Sequence, residues 1–145
     1  MKALSVSALV GMLILPLAAY AETPVDAGNW EFSEKTAIEG QGEIPSPPRT
    51  MCLKAGEATL EKLVLPPAAE MDARKCKTEL TGASGTAKAS MACPPSDAGP
   101  GITGNLDIKY TPTTFEGSGP IEFKMKDGTG GKGTVTLSGK RAGDC

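Results

Sequence analysis

Apolar and polar residues alternate along much of this chain. Trp30 and Phe32 stand two apart in "NWEF", and Leu106, Ile108 and Tyr110 do the same in "NLDIKY". In "PIEFKMK", Ile121, Phe123 and Met125 alternate with Glu122, Lys124 and Lys126. In "TVTLSGKR", Val135 and Leu137 share one face. A period of two marks a strand with one buried face. Ile121, Phe123 and Met125 are therefore expected to point into the core, with the charged residues between them facing water. "RTMCL" and the extended region beginning at Phe115 add further strands.

Breakers separate these runs. "GQGEIPSPPRT" reads as a loop because Pro45, Pro47 and Pro48 interrupt it, and "CPPSDAGPGITG" and "KDGTGGKG" read as connections. One stretch has helical spacing: in "AGEATLEKLVLPP", Leu60, Leu63 and Val64 stand at i, i+3 and i+4, and Pro66-Pro67 ends the run. The pattern predicts a mainly β, α+β domain. Its architecture is a single antiparallel sheet or half-barrel of about six or seven strands with one short helix.

The first residues follow a different pattern. Lys2 precedes an apolar run from Ala3 to Leu17, Pro16 breaks it, and Ala19-Tyr20-Ala21 offers a small-x-small cleavage site. This is the layout of a secretory signal peptide, expected over residues 1–21 and removed after Ala21. The run is short for a span of roughly 20 residues, so no stable membrane insertion is expected after cleavage. The first cysteine is Cys52, which speaks against N-terminal lipidation. The remaining segment, residues 22–145, is expected to form one β-rich domain in the periplasm.

Composition sharpens this picture. Leu, Ile, Val and Phe make up about 15% of residues 22–145, below the roughly 20% at which a packed core becomes hard to build. Cysteines can supply the missing stability. There are four, Cys52, Cys76, Cys93 and Cys145, an even count that in an exported chain reads as two disulfides. Four cysteines allow three pairings. Between Cys76 and Cys93 the stretch "TGASGT" is a turn signal, and a fold-back near Ser84 and Gly85 sets these two cysteines opposite one another. Cys52 and Cys145 are then paired by elimination. Arg74, Lys75 and Lys77 surround Cys76 and could activate a free thiol, but an oxidising compartment favours the structural disulfide.

Charge and motifs exclude several functions. Residues 22–145 hold 14 basic and 17 acidic side chains, so there is no basic footprint for nucleic acid. The absence of histidine removes the usual base for a serine or cysteine nucleophile. No CxxC pair is present, so no metal site is expected. Met51, Met71, Met91 and Met125 are scattered and read as gap fillers. Glu57 and Glu61 stand four apart on the expected helix and read as solvated charges. Gly99 to Gly104 and Gly128 to Gly133 both match GxGxxG, but both lead into strands, whereas a dinucleotide site needs a helix after the glycines. No catalytic or cofactor-binding residue is assigned.

"GNWEF" near the start, "MCL" before a short acidic helix, two middle cysteines, "FEG" and a terminal "GKRAGDC" together resemble a bacterial family, the domain of unknown function family 3617. The similarity runs from about Gly28 to Cys145. It is carried by Trp30, Cys52-Leu53, Cys76, Cys93, Phe115-Glu116-Gly117 and Gly143-Asp144-Cys145. It implies a small, disulfide-bonded periplasmic envelope protein and brings no activity with it.

The functional expectation is a non-enzymatic periplasmic module that binds a small apolar ligand or an envelope partner. An empty apolar pocket would speak for it. The alternative is a structural, self-associating protein, which a filled interior and an exposed apolar patch would favour. A third reading, an enzyme using carboxylates or lysine, needs a closed pocket with convergent carboxylates.

Overall fold

The computed structural model describes residues 23–145, so the expected signal peptide lies outside the described residues. The architecture is mainly β, as the alternation implies: one open antiparallel sheet with two short helices and two disulfides. Strand β1 (Gly28–Ile38) is followed by β2 (Gly42–Pro45), β3 (Arg49–Leu53), α1 (Leu60–Val64) and α2 (Ala68–Ala73). Then come β4 (Lys77–Ala83), β5 (Thr86–Cys93), β6 (Gly101–Tyr110), β7 (Thr114–Lys124) and β8 (Gly130–Gly143). The strand order is β2-β1-β8-β7-β6-β5-β4, with β3 also pairing β1.

Among the described residues the strands number eight, one above the expected range, because part of "GQGEIPSPPRT" is β2. Pro45 is tolerated there because β2 sits at the sheet edge, where a missing N–H leaves no ladder bond unmade. Ser46 and Pro47 then split the edge, so β2 pairs with the second half of β1 and β3 with the first half.

The expected helix is shorter than its periodicity suggested. Ala55, Gly56 and Glu57 form a turn, and only Leu60–Val64 of the stretch is helical. A second helix, α2, begins immediately after Pro66-Pro67. Those prolines end one helix and introduce the next, since a proline beside the first turn gives up no helical hydrogen bond.

One face of the sheet carries the core. Trp30, Leu53, Ala87, Ala89, Ile108 and Phe115 pack with Val25 and with Leu60 and Leu63 of α1. Trp30, Phe115, Leu60 and Ile108 are fully buried. Each contributes about 1.5–3 kcal/mol by the area it removes from water. Trp30 and Phe115 meet with ring centroids 6.1 Å apart, and the Trp30 indole N–H donates to the Asp26 carbonyl at 2.9 Å. The segment before β1 closes this end. Val25 N–H donates to Ala58 O, Leu60 N–H donates to Thr23 O, and Pro24 bridges Thr59.

Strand β7 keeps the expected alternation through Phe123 but not beyond. Ile121 and Phe123 are half-buried, and Glu122 and Lys124 are exposed. Met125 is 47% exposed, which corrects the expectation that it points into the core. The strand ends at Lys124 and Met125 enters the turn, where its N–H bonds Thr129 O.

The disulfides staple both ends of the domain. Ser84 and Gly85 take positive φ and form the tight β4–β5 turn, which is the backbone that a two-residue hairpin needs. Lys77 faces Ala92 at the other end of that ladder, and the Cys76–Cys93 bond follows, with Cα atoms 4.1 Å apart. The second bond joins Cys52 to Cys145. Asn29 of β1 pairs with Cys52 on one side and Gly143 on the other, so this bond spans the start of β1.

Candidate functional site

A large concavity lies on the face opposite the core. It is an open cleft of about 1050 Å³ that crosses six strands, from β1 through β8, β7, β6 and β5 to β4. Strand register builds it. One rung of facing residues is Lys35, Thr136, Ser118, Asp107, Lys88 and Thr81. The other is Ser33, Ser138, Glu116, Lys109, Thr86 and Ala83. Between them runs a floor of backbone at Leu137, Gly117, Ile108, Ala87 and Gly82. Side chains alternate across a sheet, so the floor side chains point the other way. Ala87 and Ile108 do so into the core itself.

Residues of β1 and β4 line the same cleft, so the sheet curls toward this face. Its lining is hydroxyl-rich and its charges are compensated. Lys88 pairs with Asp107 at 3.0 Å and Lys35 with Glu43 at 3.0 Å. Lys109 faces Glu116 across β6 and β7. The Ser33 and Ser138 hydroxyls share a hydrogen bond of 3.2 Å. Further along the same face Glu122 and Lys132 pair at 3.1 Å, and the Glu122 carboxylate raises the Lys132 ammonium pKa above its ordinary value. Exposed pairs of this kind are each worth about 0–1 kcal/mol. They set register and neutralise the face more than they stabilise it.

The residues singled out from the sequence fall as follows. Cys76 is in a disulfide, so it offers no reactive thiol. Of its basic neighbours, Arg74 donates to the Pro100 carbonyl at 2.8 Å. Gly99 to Gly104 leads into β6, and Gly128 to Gly133 leads into β8. Among the described residues no group of three or more His, Cys, Asp or Glu is placed to hold a metal.

Glu57 and Glu61 do not share a helical face, because α1 begins at Leu60. Glu57 is exposed and pairs with Lys62 at 3.3 Å. Glu61 departs from the expected solvated charge. Its Oε1 accepts the Thr23 N–H at 3.3 Å, while its buried Oε2 has no hydrogen-bond partner among the described residues.

The cleft itself escapes a reading of single strands. Each Ser, Thr and Lys in it looks like an ordinary solvent-facing position. Only register across six strands gathers them.

These features define a class: a small disulfide-stapled β protein with an apolar core on one sheet face and a neutral polar cleft on the other. The chain belongs to the family described as protein of unknown function DUF3617, whose family model matches residues 25–145. No curated protein and no solved structure matches it. Among the described residues no helix is long and apolar enough to cross a membrane.

Proposed function

We propose that this protein is a non-enzymatic binding module of the bacterial periplasm and that the cross-strand cleft is where it binds. The observation that carries this reading is the cleft, about 1050 Å³ in volume and lined by two rungs of Ser, Thr and paired charges. Its size is near the upper end of small-molecule sites, roughly 300–1,000 Å³. Its open, polar lining fits an extended polar ligand of low net charge, held by hydroxyl hydrogen bonds. A small apolar ligand has less support, because the apolar face is filled by Trp30, Phe115, Leu60 and Ile108. The exported location rests on the residues 1–21 pattern and agrees with two disulfides, which persist in oxidising compartments.

Native mass spectrometry of protein purified from its own periplasm tests the proposal. We expect a retained polar species that is lost from Ser118→Trp, where an indole would fill the cleft without entering the core. A retained species that survives this substitution, or a retained apolar lipid, would overturn the polar-cleft reading.

A second reading, self-association, is favoured by the filled interior together with the exposed Ile44 and Met125, at 49% and 47%. Analytical ultracentrifugation decides it: a concentration-independent monomer removes this reading.

A further inference from the structure

The cleft has a direction. Its walls are the two rungs that start at Ser33 and Lys35, two residues and so about 6.8 Å apart along the strands. It crosses six neighbouring strands, and steps of about 4.8 Å make it roughly 24 Å long as it follows the sheet. It is therefore one chain wide and many groups long. Its floor is strand backbone, whose N–H and C=O groups are bonded to the neighbouring strands. The floor is thus a smooth, saturated surface. The walls are the opposite. Ser33, Ser118, Ser138, Thr81, Thr86 and Thr136 each carry a hydroxyl that both donates and accepts. Lys35 and Lys88 are matched by Glu43 and Asp107, and Lys109 faces Glu116. A second cavity of about 380 Å³ shares the Ser33, Ser138 and Glu116 rung and continues on its other side to Thr114.

We propose that the cleft takes a linear, uncharged oligosaccharide laid across the strands; this rests on the reading of the cleft as the binding site. A pyranose ring has C–H faces and hydroxyl edges. The faces lie on the saturated backbone floor, and the edges meet the Ser and Thr hydroxyls of the two rungs. Glycosidic linkage repeats that pattern along a line, as the rungs repeat theirs from strand to strand. The second cavity leaves room beside the shared rung for a substituent on a ring. Other elongated polar chains fit less well. A peptide that joins a sheet takes its main-chain hydrogen bonds from a strand edge, and this cleft runs over strand faces, where those groups are already bonded. A polyanion needs an excess of positive charge, and here the lysines are matched by carboxylates. A polyether accepts hydrogen bonds but donates none, so it gives nothing to Asp107 or Glu116.

The test is NMR titration of the purified exported protein with cello-, malto- and chito-oligosaccharides, from disaccharide to hexasaccharide, beside a Gly-Ser peptide of similar length. At least one saccharide series should shift the amides around Ser118 and Thr136, with affinity rising several-fold as the chain lengthens to fill the cleft. Thr136→Val keeps the side-chain shape and the strand while removing one hydroxyl, and should weaken binding several-fold. Ser118→Trp should abolish it. No binding by any series at millimolar concentration, affinity independent of chain length, or equal binding of the Gly-Ser peptide overturns the proposal. The two readings fail separately. A ligand of another chemistry that Ser118→Trp displaces ends the saccharide inference and leaves the cleft a binding site. Saccharide shifts that fall outside the cleft and survive Ser118→Trp end both.

Discussion

The ring of Phe115 lies where residue 139 would carry its Cβ. A Cβ at residue 139 would collide with Phe115 Cε1. The two residues face each other across β7 and β8, and the glycine lets the ring lie flat over the neighbouring strand toward Trp30. Cores are close-packed, so an added methyl must displace something. Gly139→Ala should destabilise the protein by about 1–3 kcal/mol, and Phe115→Ala by about 3–5 kcal/mol. Denaturant unfolding checks both. In the double variant the penalties should fail to add, since both disturb the same contact.

Phe123 has a similar relation to Gly131, whose Cβ would meet Phe123 Cζ at 2.5 Å. It is only half-buried. Phe123→Ala should therefore cost clearly less than the roughly 3–5 kcal/mol of a fully buried phenylalanine. Urea midpoints of the two alanine variants, compared side by side, test the ordering. A Phe123→Ala penalty equal to that of Phe115→Ala would contradict it.

Removing the terminal staple by Cys145→Ser should lower stability by about 2–5 kcal/mol and leave Cys52 as a free thiol. The β4–β5 hairpin keeps its own disulfide and should retain amide protection in hydrogen exchange. Peptide mapping without reduction should recover Cys76 linked to Cys93 in both wild type and variant.

Asp127 sits in the turn between β7 and β8. Its carboxylate accepts the Thr129 hydroxyl at 2.6 Å and the Thr129 N–H at 2.9 Å. The hydroxyl bond first, and the backbone bond second, hold its pKa below the ordinary carboxylate value. A depressed carboxylate adds stability above its unfolded pKa and loses it as pH falls through the folded one. NMR titration should place Asp127 below the ordinary aspartate value, and Thr129→Val should move it back up. An Asp127 titration unchanged in Thr129→Val would sink this account.

The sequence carries local features and loses assembled ones. The β4–β5 hairpin is legible because Ser84-Gly85 and the flanking cysteines all lie within one short stretch. Strands β6 and β8 are legible because water on one face and core on the other enforce a period of two. Strand β2 is not, since an edge strand exposed throughout has no apolar period to show. Helix α2 escapes because only Met71 is buried in it, and one apolar residue makes no pattern. The cleft depends on which residues face one another across β1 and β4 to β8, and Glu61 on which segment lies beside it. Both are set by long-range register, and neither is written in any window of neighbouring residues.

Strand β8 lies between β1 and β7 and completes both ladders. Among the described residues, the first long strand thus waits for the last. Until β8 emerges, β1 has among the described residues only the short β2 and β3 ladders to pair with, and contacts so distant along the chain form slowly. Until β8 joins, the neighbouring strands form an unfinished sheet, pliable and open along the seam that β8 later closes.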